Sequence, residues 1–227
     1  HRSVSIGVHN AKGGRNAPTV WNAGFLSSQF WDGRAATLEE QAIGPVTNPI
    51  EMGMADLDEA IKRIQAIPGY RDVFEGVFGT ENAVTMSNAA KAIAAYERTL
   101  VTPNSPYDRY VNGDKTALSD PAIRGMTTFE QVGCKSCHSG AAFAGPKMPP
   151  GSGLFMKFPT FTDNEYVEKF DLMADGGRYV ATGNEADKNM WRVPTLRNLT
   201  YTAPYFHNGA AKTLHDTVRI MAKTQLD

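Results

Sequence analysis

The 227 residues contain only two cysteines, and a histidine follows the second: Cys134-Lys135-Ser136-Cys137-His138. Cys-x-x-Cys-His is the attachment pattern for c-type haem. Two thiols on one helical turn can each form a thioether with a haem vinyl group, and the adjacent imidazole then meets the iron as proximal ligand. Three other chemistries compete. A thioredoxin-like redox pair opens a helix after a strand and has a lowered thiol pKa, whereas here the motif follows a helical pattern. A zinc site needs a fourth ligand, and His207 or His215 is available for it. A disulfide across two intervening residues is strained. The pattern predicts covalent haem, with a zinc-stabilised interaction domain as the competing reading.

The iron's sixth ligand decides what such a haem does. A Met thioether suits electron transfer, and an open position suits chemistry on oxygen species. Met148, Met156, Met173, Met190 and Met221 lie downstream of the motif. Met221 is the best placed, because Leu214, Val218 and Met221 fall on one face of a helix that Thr213 can cap. Elsewhere, Glu51 lies among apolar neighbours and can serve as an acid–base group or as a plain loop carboxylate. Trp31 sits beside an Asp32–Arg34 pair and also suits a core position. His9 and His207 occupy Gly-rich or aromatic loops, where a hydrogen-bonded structural role is the default.

The elements that must position these residues read as helices and loops. Residues 7–19 look irregular. Thr37-Leu38-Glu39-Glu40 is a capping-box pattern, predicting a short helix that stops before Gly44-Pro45. Asp56 caps a second helix carrying Leu57, Ala60, Ile61 and Ile64, closed by Pro68-Gly69. Ser87 precedes the best helical stretch, through Leu100. Pro103-Asn104-Ser105-Pro106 breaks the pattern and divides the chain into domains at 1–102 and 103–227. Ser119 caps a helix with Ile123, Met126 and Phe129 on one side, running into Gly133-Cys134. Residues 139–212 show no long periodic run and no convincing strand; a haem supplies the apolar surface around which such loops can pack.

Composition narrows the class. The 23 basic and 24 acidic side chains nearly cancel, leaving no basic field for nucleic acid. No run approaches the roughly 18 apolar residues of a membrane span. The first residues lack the apolar region of a signal peptide, so the chain reads as a mature or trimmed product.

Several segments, in order, resemble the bacterial dihaem cytochrome c peroxidases: Gly14 to Val20, Phe30-Trp31-Asp32-Gly33-Arg34-Ala35, Glu40-Gln41-Ala42, Asn48-Pro49-Ile50-Glu51-Met52, the Gly133–His138 motif, Pro194 to Asn198, and Thr202 to Gly209. The resemblance implies a mainly α fold of two cytochrome c-like domains, with long loops packed around covalent haem and a calcium site between them. It implies reduction of hydrogen peroxide to water in the periplasm. Electrons would come from a small cytochrome c or cupredoxin, and the assembly would be a homodimer. By the same resemblance, Cys134, Cys137 and His138 hold the electron-accepting haem with Met221 as distal ligand. Trp31 lies between the haems, and Gln41 and Glu51 serve the peroxidatic pocket. Asn16, Thr202 and Pro204 bind calcium, the last two through backbone carbonyls. A histidine that blocks the peroxidatic iron falls at Val8 in the family pattern, and His9 follows it. The family's first Cys-x-x-Cys-His and its closing helix lie outside the sequence, so the chain reads as a fragment with one haem motif of its own. The alternative is a monohaem electron-transfer protein without catalysis.

Overall fold

A computed structural model describes residues 2–226. The first half holds α1 (Leu38–Thr47), α2 (Leu57–Gln65), α3 (Tyr70–Phe78) and α4 (Met86–Thr99). The second holds α5 (Pro106–Val111), α6 (Asp120–Gln131), α7 (Glu165–Lys169), α8 (Tyr179–Thr182) and α9 (Leu214–Met221). Strands β1 (Phe155–Lys157) and β2 (Met190–Arg192) pair antiparallel, with Met156 opposite Trp191. The fold is mainly helical, as the sequence predicts.

The helix starts follow from capping chemistry, in which a side-chain oxygen satisfies an otherwise orphaned backbone N–H. Thr37 accepts from Glu40 N at 3.1 Å, Asp56 from Glu59 N at 2.7 Å, and Thr213 from Asp216 N at 3.1 Å. Ser119 likewise caps α6. Two boundaries differ from expectation. Helix α1 runs through Pro45 to Thr47, because a proline in the last turn forfeits only one intrahelical bond. Helix α4 starts two residues early, since Thr85 rather than Ser87 accepts from Asn88 N. Helix α3 follows the Pro68-Gly69 stop in a stretch given no element, and α5 begins inside the Pro103–Pro106 break. Ser105 and Asp108 form a reciprocal capping box with Pro106 in the first turn of α5, where proline's missing N–H costs nothing.

Each half has its own apolar cluster. In the first, Phe74, Ala83, Val84 and Ala89 are buried, with Ile61, Ile64 and Phe78 against them. In the second, Leu172, Tyr205, Ala211 and Ile220 are buried among Phe158, Tyr166 and Phe206. Much of that second cluster comes from loops, so the turn-rich stretch is packed without long periodic elements.

Candidate functional site

Helix α6 ends at Gln131 and the chain reverses at Gly133, whose φ of +88° favours glycine. A single 3-10 turn, Cys134–Ser136, follows. Both cysteines are free thiols and half-buried. Burial pushes the Cys134 thiol above its ordinary pKa, the opposite of what an activated redox pair requires. His138 Nδ1 lies 3.0 Å from Phe143 O. A carbonyl can only accept, so this bond assigns the proton to Nδ1 and leaves the Nε2 lone pair for a metal. Burial lowers the His138 pKa, against the carbonyls of Phe143 and Pro194, which raise it.

The loop after His138 is held from two sides. Thr195 Oγ1 donates to Ala142 O and Arg197 Nε to Ala141 O, each at 2.6 Å. The same guanidinium grips Asp108 on α5 in a bidentate pair, at 2.7 and 3.0 Å. This pairing holds the Asp108 carboxyl well below the usual carboxylate range.

His207 and His215 do not complete a zinc set with the two thiols. His207 stacks on Trp191 with ring centroids 3.9 Å apart, and His215 is exposed on α9. Among the described residues no group of three or more His, Cys, Asp and Glu side chains converges on a metal position.

Met221 is half-buried at the end of α9, followed by a π turn over Ala222–Leu226. The faces of α9 differ in burial. Ile220 is its core residue, whereas Leu214 and Val218 are 37% and 66% exposed. Leu214 and Val218 therefore turn away from the protein core, beside the half-buried Met221.

In the first half, Trp31 Nε1 donates to Asn16 O at 2.8 Å, and the Trp31 ring meets Trp191 edge-on with centroids 6.5 Å apart. Asn16 N donates to His207 O at 2.6 Å, and Asn16 Nδ2 donates to Ser3 O at 3.0 Å. Asn16, Thr202 and Pro204 line one open pocket, so the three residues expected to bind a cation are brought together. Gln41 is half-buried on α1. Glu51 is half-buried in the turn after α1, where Asn48 Nδ2 donates to its Oε2 at 2.8 Å. Val8 N donates to Glu51 O at 2.8 Å, which ties the turn carrying His9 to the Glu51 loop. His9 itself is exposed, in the left-handed region at φ 54°.

A charge network joins the halves, and no local pattern in the sequence announces it. Arg15 Nη1 pairs with Asp32 at 2.5 Å and its Nε with Asp175 at 2.6 Å. Arg34 also reaches Asp32, at 3.0 Å, while Arg178 Nη1 donates to Asp32 O at 2.8 Å. Arg192, 5% exposed, donates from Nε to Phe30 O at 3.0 Å and from Nη1 to Val193 O at 3.3 Å. The pairs Arg15–Asp175, Arg178–Asp32 and Arg192–Phe30 span 160, 146 and 162 residues, beyond the reach of spacing arguments.

Two free thiols, an adjacent imidazole with one nitrogen spare and a helical scaffold define a site for covalent c-type haem. A model of the di-haem cytochrome c peroxidase family matches residues 1–116. The cytochrome c551 peroxidase of Nitrosomonas europaea is 42% identical over 225 residues, covering 99% of this chain and 63% of its own length. The cytochrome c peroxidase of Escherichia coli is 41% identical over 225 residues, covering 99% of this chain and 46% of its own. Among solved structures, a MauG-like protein associated with microbial copper homeostasis superposes with a TM-score of 0.82 at 28% identity, over 97% of this chain and 66% of its own. The chain belongs to the di-haem cytochrome c peroxidase family. It spans less than two thirds of the length of the two peroxidases it matches.

Proposed function

We propose that this chain contributes the electron-transfer haem site and part of the peroxidatic site of an enzyme that reduces hydrogen peroxide to water. The observation that carries the reading is the Cys134–His138 turn, with both thiols free and His138 Nδ1 bonded to Phe143 O. Residues 103–227 form the electron-transfer domain and residues 1–102 the remainder of the peroxidatic domain. Separate apolar clusters in the two halves support that division. Cys134 and Cys137 anchor the haem, and His138 and Met221 hold its iron. The outward stripe of Leu214 and Val218 beside Met221 offers an apolar surface suited to a macrocycle. Bound haem would relay the donor's electrons and supply the redox-active iron.

The chain's own residues do the rest. Glu51 moves a proton between the two peroxide oxygens so that one leaves as water. Asn48 fixes Glu51 Oε2, leaving Oε1 for that transfer. Gln41 orients the peroxide. Trp31, held by Asn16 O and braced by Trp191, lies on the route of incoming electrons. His9 controls access to the peroxidatic iron through the turn tied to Glu51 O. Asn16 Oδ1 and the carbonyls of Thr202 and Pro204 bind calcium, an oxygen-only set suited to a hard cation, with water completing the shell. The electron donor is a small cytochrome c or cupredoxin, the assembly a homodimer and the compartment the periplasm.

The test is a haem count on the complete protein, followed by peroxide-dependent oxidation of a reduced small cytochrome c. Two covalent haems per chain and turnover are expected. A single haem with no peroxide turnover would favour the monohaem electron carrier.

A further inference from the structure

Arg192 raises a question that the peroxidase chemistry leaves open. Around the Phe30–Asp32 backbone, four guanidinium groups (Arg15, Arg34, Arg178 and Arg192) face three carboxylates. Asp32 already takes Arg15 and Arg34, Asp175 takes Arg15, and Asp187 faces Arg178 at 3.7 Å. Arg192 is the most buried of the four, yet it forms no ion pair among the described residues. Its Nε and Nη1 reach the carbonyls of Phe30 and Val193. Its Nη2 donates to no protein acceptor among the described residues. Burial drives its pKa down to about 10, opposed only by the charge of Asp32. An isolated buried cation costs several kcal/mol unless an anion shares the site. A guanidinium edge with spare donors is shaped for a planar carboxylate.

We infer that Arg192 is the anchor for a carboxylate, and that its occupant is a propionate of covalent haem at the junction of the two halves. The inference rests on the haem reading above. A free phosphate offers related acceptor chemistry, so the experiment must separate the two sources. Position favours the propionate. Arg192 N donates to Trp31 O at 2.9 Å, which links it to the Trp31–Trp191 pair, and Arg192 directly follows Trp191 in β2. A cation beside a haem favours the ferrous iron, so loss of the arginine favours the ferric state.

The experiment uses the complete haem-loaded protein, with haem content measured first. Absence of covalent haem would overturn the haem reading itself, before this inference is reached. With haem present, Arg192→Gln should lower the ferrous-to-ferric ratio of one haem about tenfold at fixed applied potential, or about 59 mV for a one-electron couple. Arg192→Lys, which keeps the charge, should change the ratio less than about threefold. An unchanged ratio in Arg192→Gln would overturn the inference. Phosphate titrated at constant ionic strength should leave the wild-type ratio unchanged. A phosphate-dependent shift that vanishes in Arg192→Gln would assign the site to a free anion and overturn the propionate. If Arg192→Gln does not fold, a crystal structure of the wild-type haem protein decides. A propionate oxygen within hydrogen-bond distance of the guanidinium supports the inference, and propionates turned elsewhere refute it.

Discussion

Replacing Asp108 by Asn should loosen the haem-binding loop from a distance. The carboxylate accepts two charge-assisted bonds from Arg197, and Arg197 Nε holds Ala141 O in the loop after His138. Hydrogen bonds to charged groups contribute about 1.5–3 kcal/mol net, whereas exposed ion pairs contribute less than about 1 kcal/mol. The Arg197 and Asp108 side chains are 15% and 20% exposed, so the bidentate pair falls between these limits, at about 2 kcal/mol. Asn keeps one acceptor for Ser105, so most of the α5 cap survives. For a chain of this size 2 kcal/mol corresponds to a fall in Tm of roughly 4–8 °C. The sign with pH follows from the Asp108 carboxyl lying below its ordinary value. Its stabilisation is full above the unfolded pKa of about 3.9 and is lost as pH falls through the folded value. The gap between wild type and Asp108→Asn should therefore be constant near neutrality and narrow below about pH 4. Thermal unfolding of the haem-loaded protein, followed at the Soret band, measures both effects. A double-mutant cycle with Arg197→Gln isolates the pair. A loss below about 0.5 kcal/mol, or fully additive single effects, would refute the reasoning.

The remaining predictions concern chemistry. Glu51→Gln should reduce peroxide turnover by about 10²–10⁴-fold with haem content unchanged; near-normal turnover would return Glu51 to a plain loop role. Met221→His should lower the potential of the haem held by His138, because imidazole replaces a thioether that favours reduced iron; redox titration reads this, and no change would exclude Met221 as ligand. Chelating calcium should lower both Tm and activity, with calcium restoring them, as binding linkage requires. Asn16→Ala should abolish that dependence, and an unaltered calcium response in the variant would remove Asn16 from the site.

What the sequence discloses and what it conceals follows the range of the interactions. Thr37, Asp56, Ser119 and Thr213 are legible as caps because a cap acts on an N–H two or three residues away. The Cys134–His138 motif is legible for the same reason. Helix α5 was equally local, but Pro103 to Pro106 reads as a break, although Ser105-Pro106 with Asp108 is a helix start. Strands of three residues are too short for any period to register. Leu214 and Val218 show that periodicity locates an apolar stripe without saying what it faces. Asp32 and Arg34 were visible beside Trp31, but Arg15, Asp175 and Arg192 enter the network only once residues 160 apart have met. Trp191, pressed between Trp31 and His207, escaped notice for that reason.

The Arg15 bridge also bears on the order of assembly. A contact spanning 160 residues closes a long loop, whose entropy must be overcome before the bridge stabilises anything. The helix caps and the α6–Cys134 turn, by contrast, close over a few residues. Arg15 is thus a late latch, and the half bearing Cys134 and Cys137 can take shape while the junction is still open. Hydrogen-exchange pulse labelling during refolding should show amides within α6 protected before that of Arg192, which donates to Trp31 O in the opposite half. Attachment of a prosthetic group to the thiols would then precede closure, and the latch would seal a chain already carrying it.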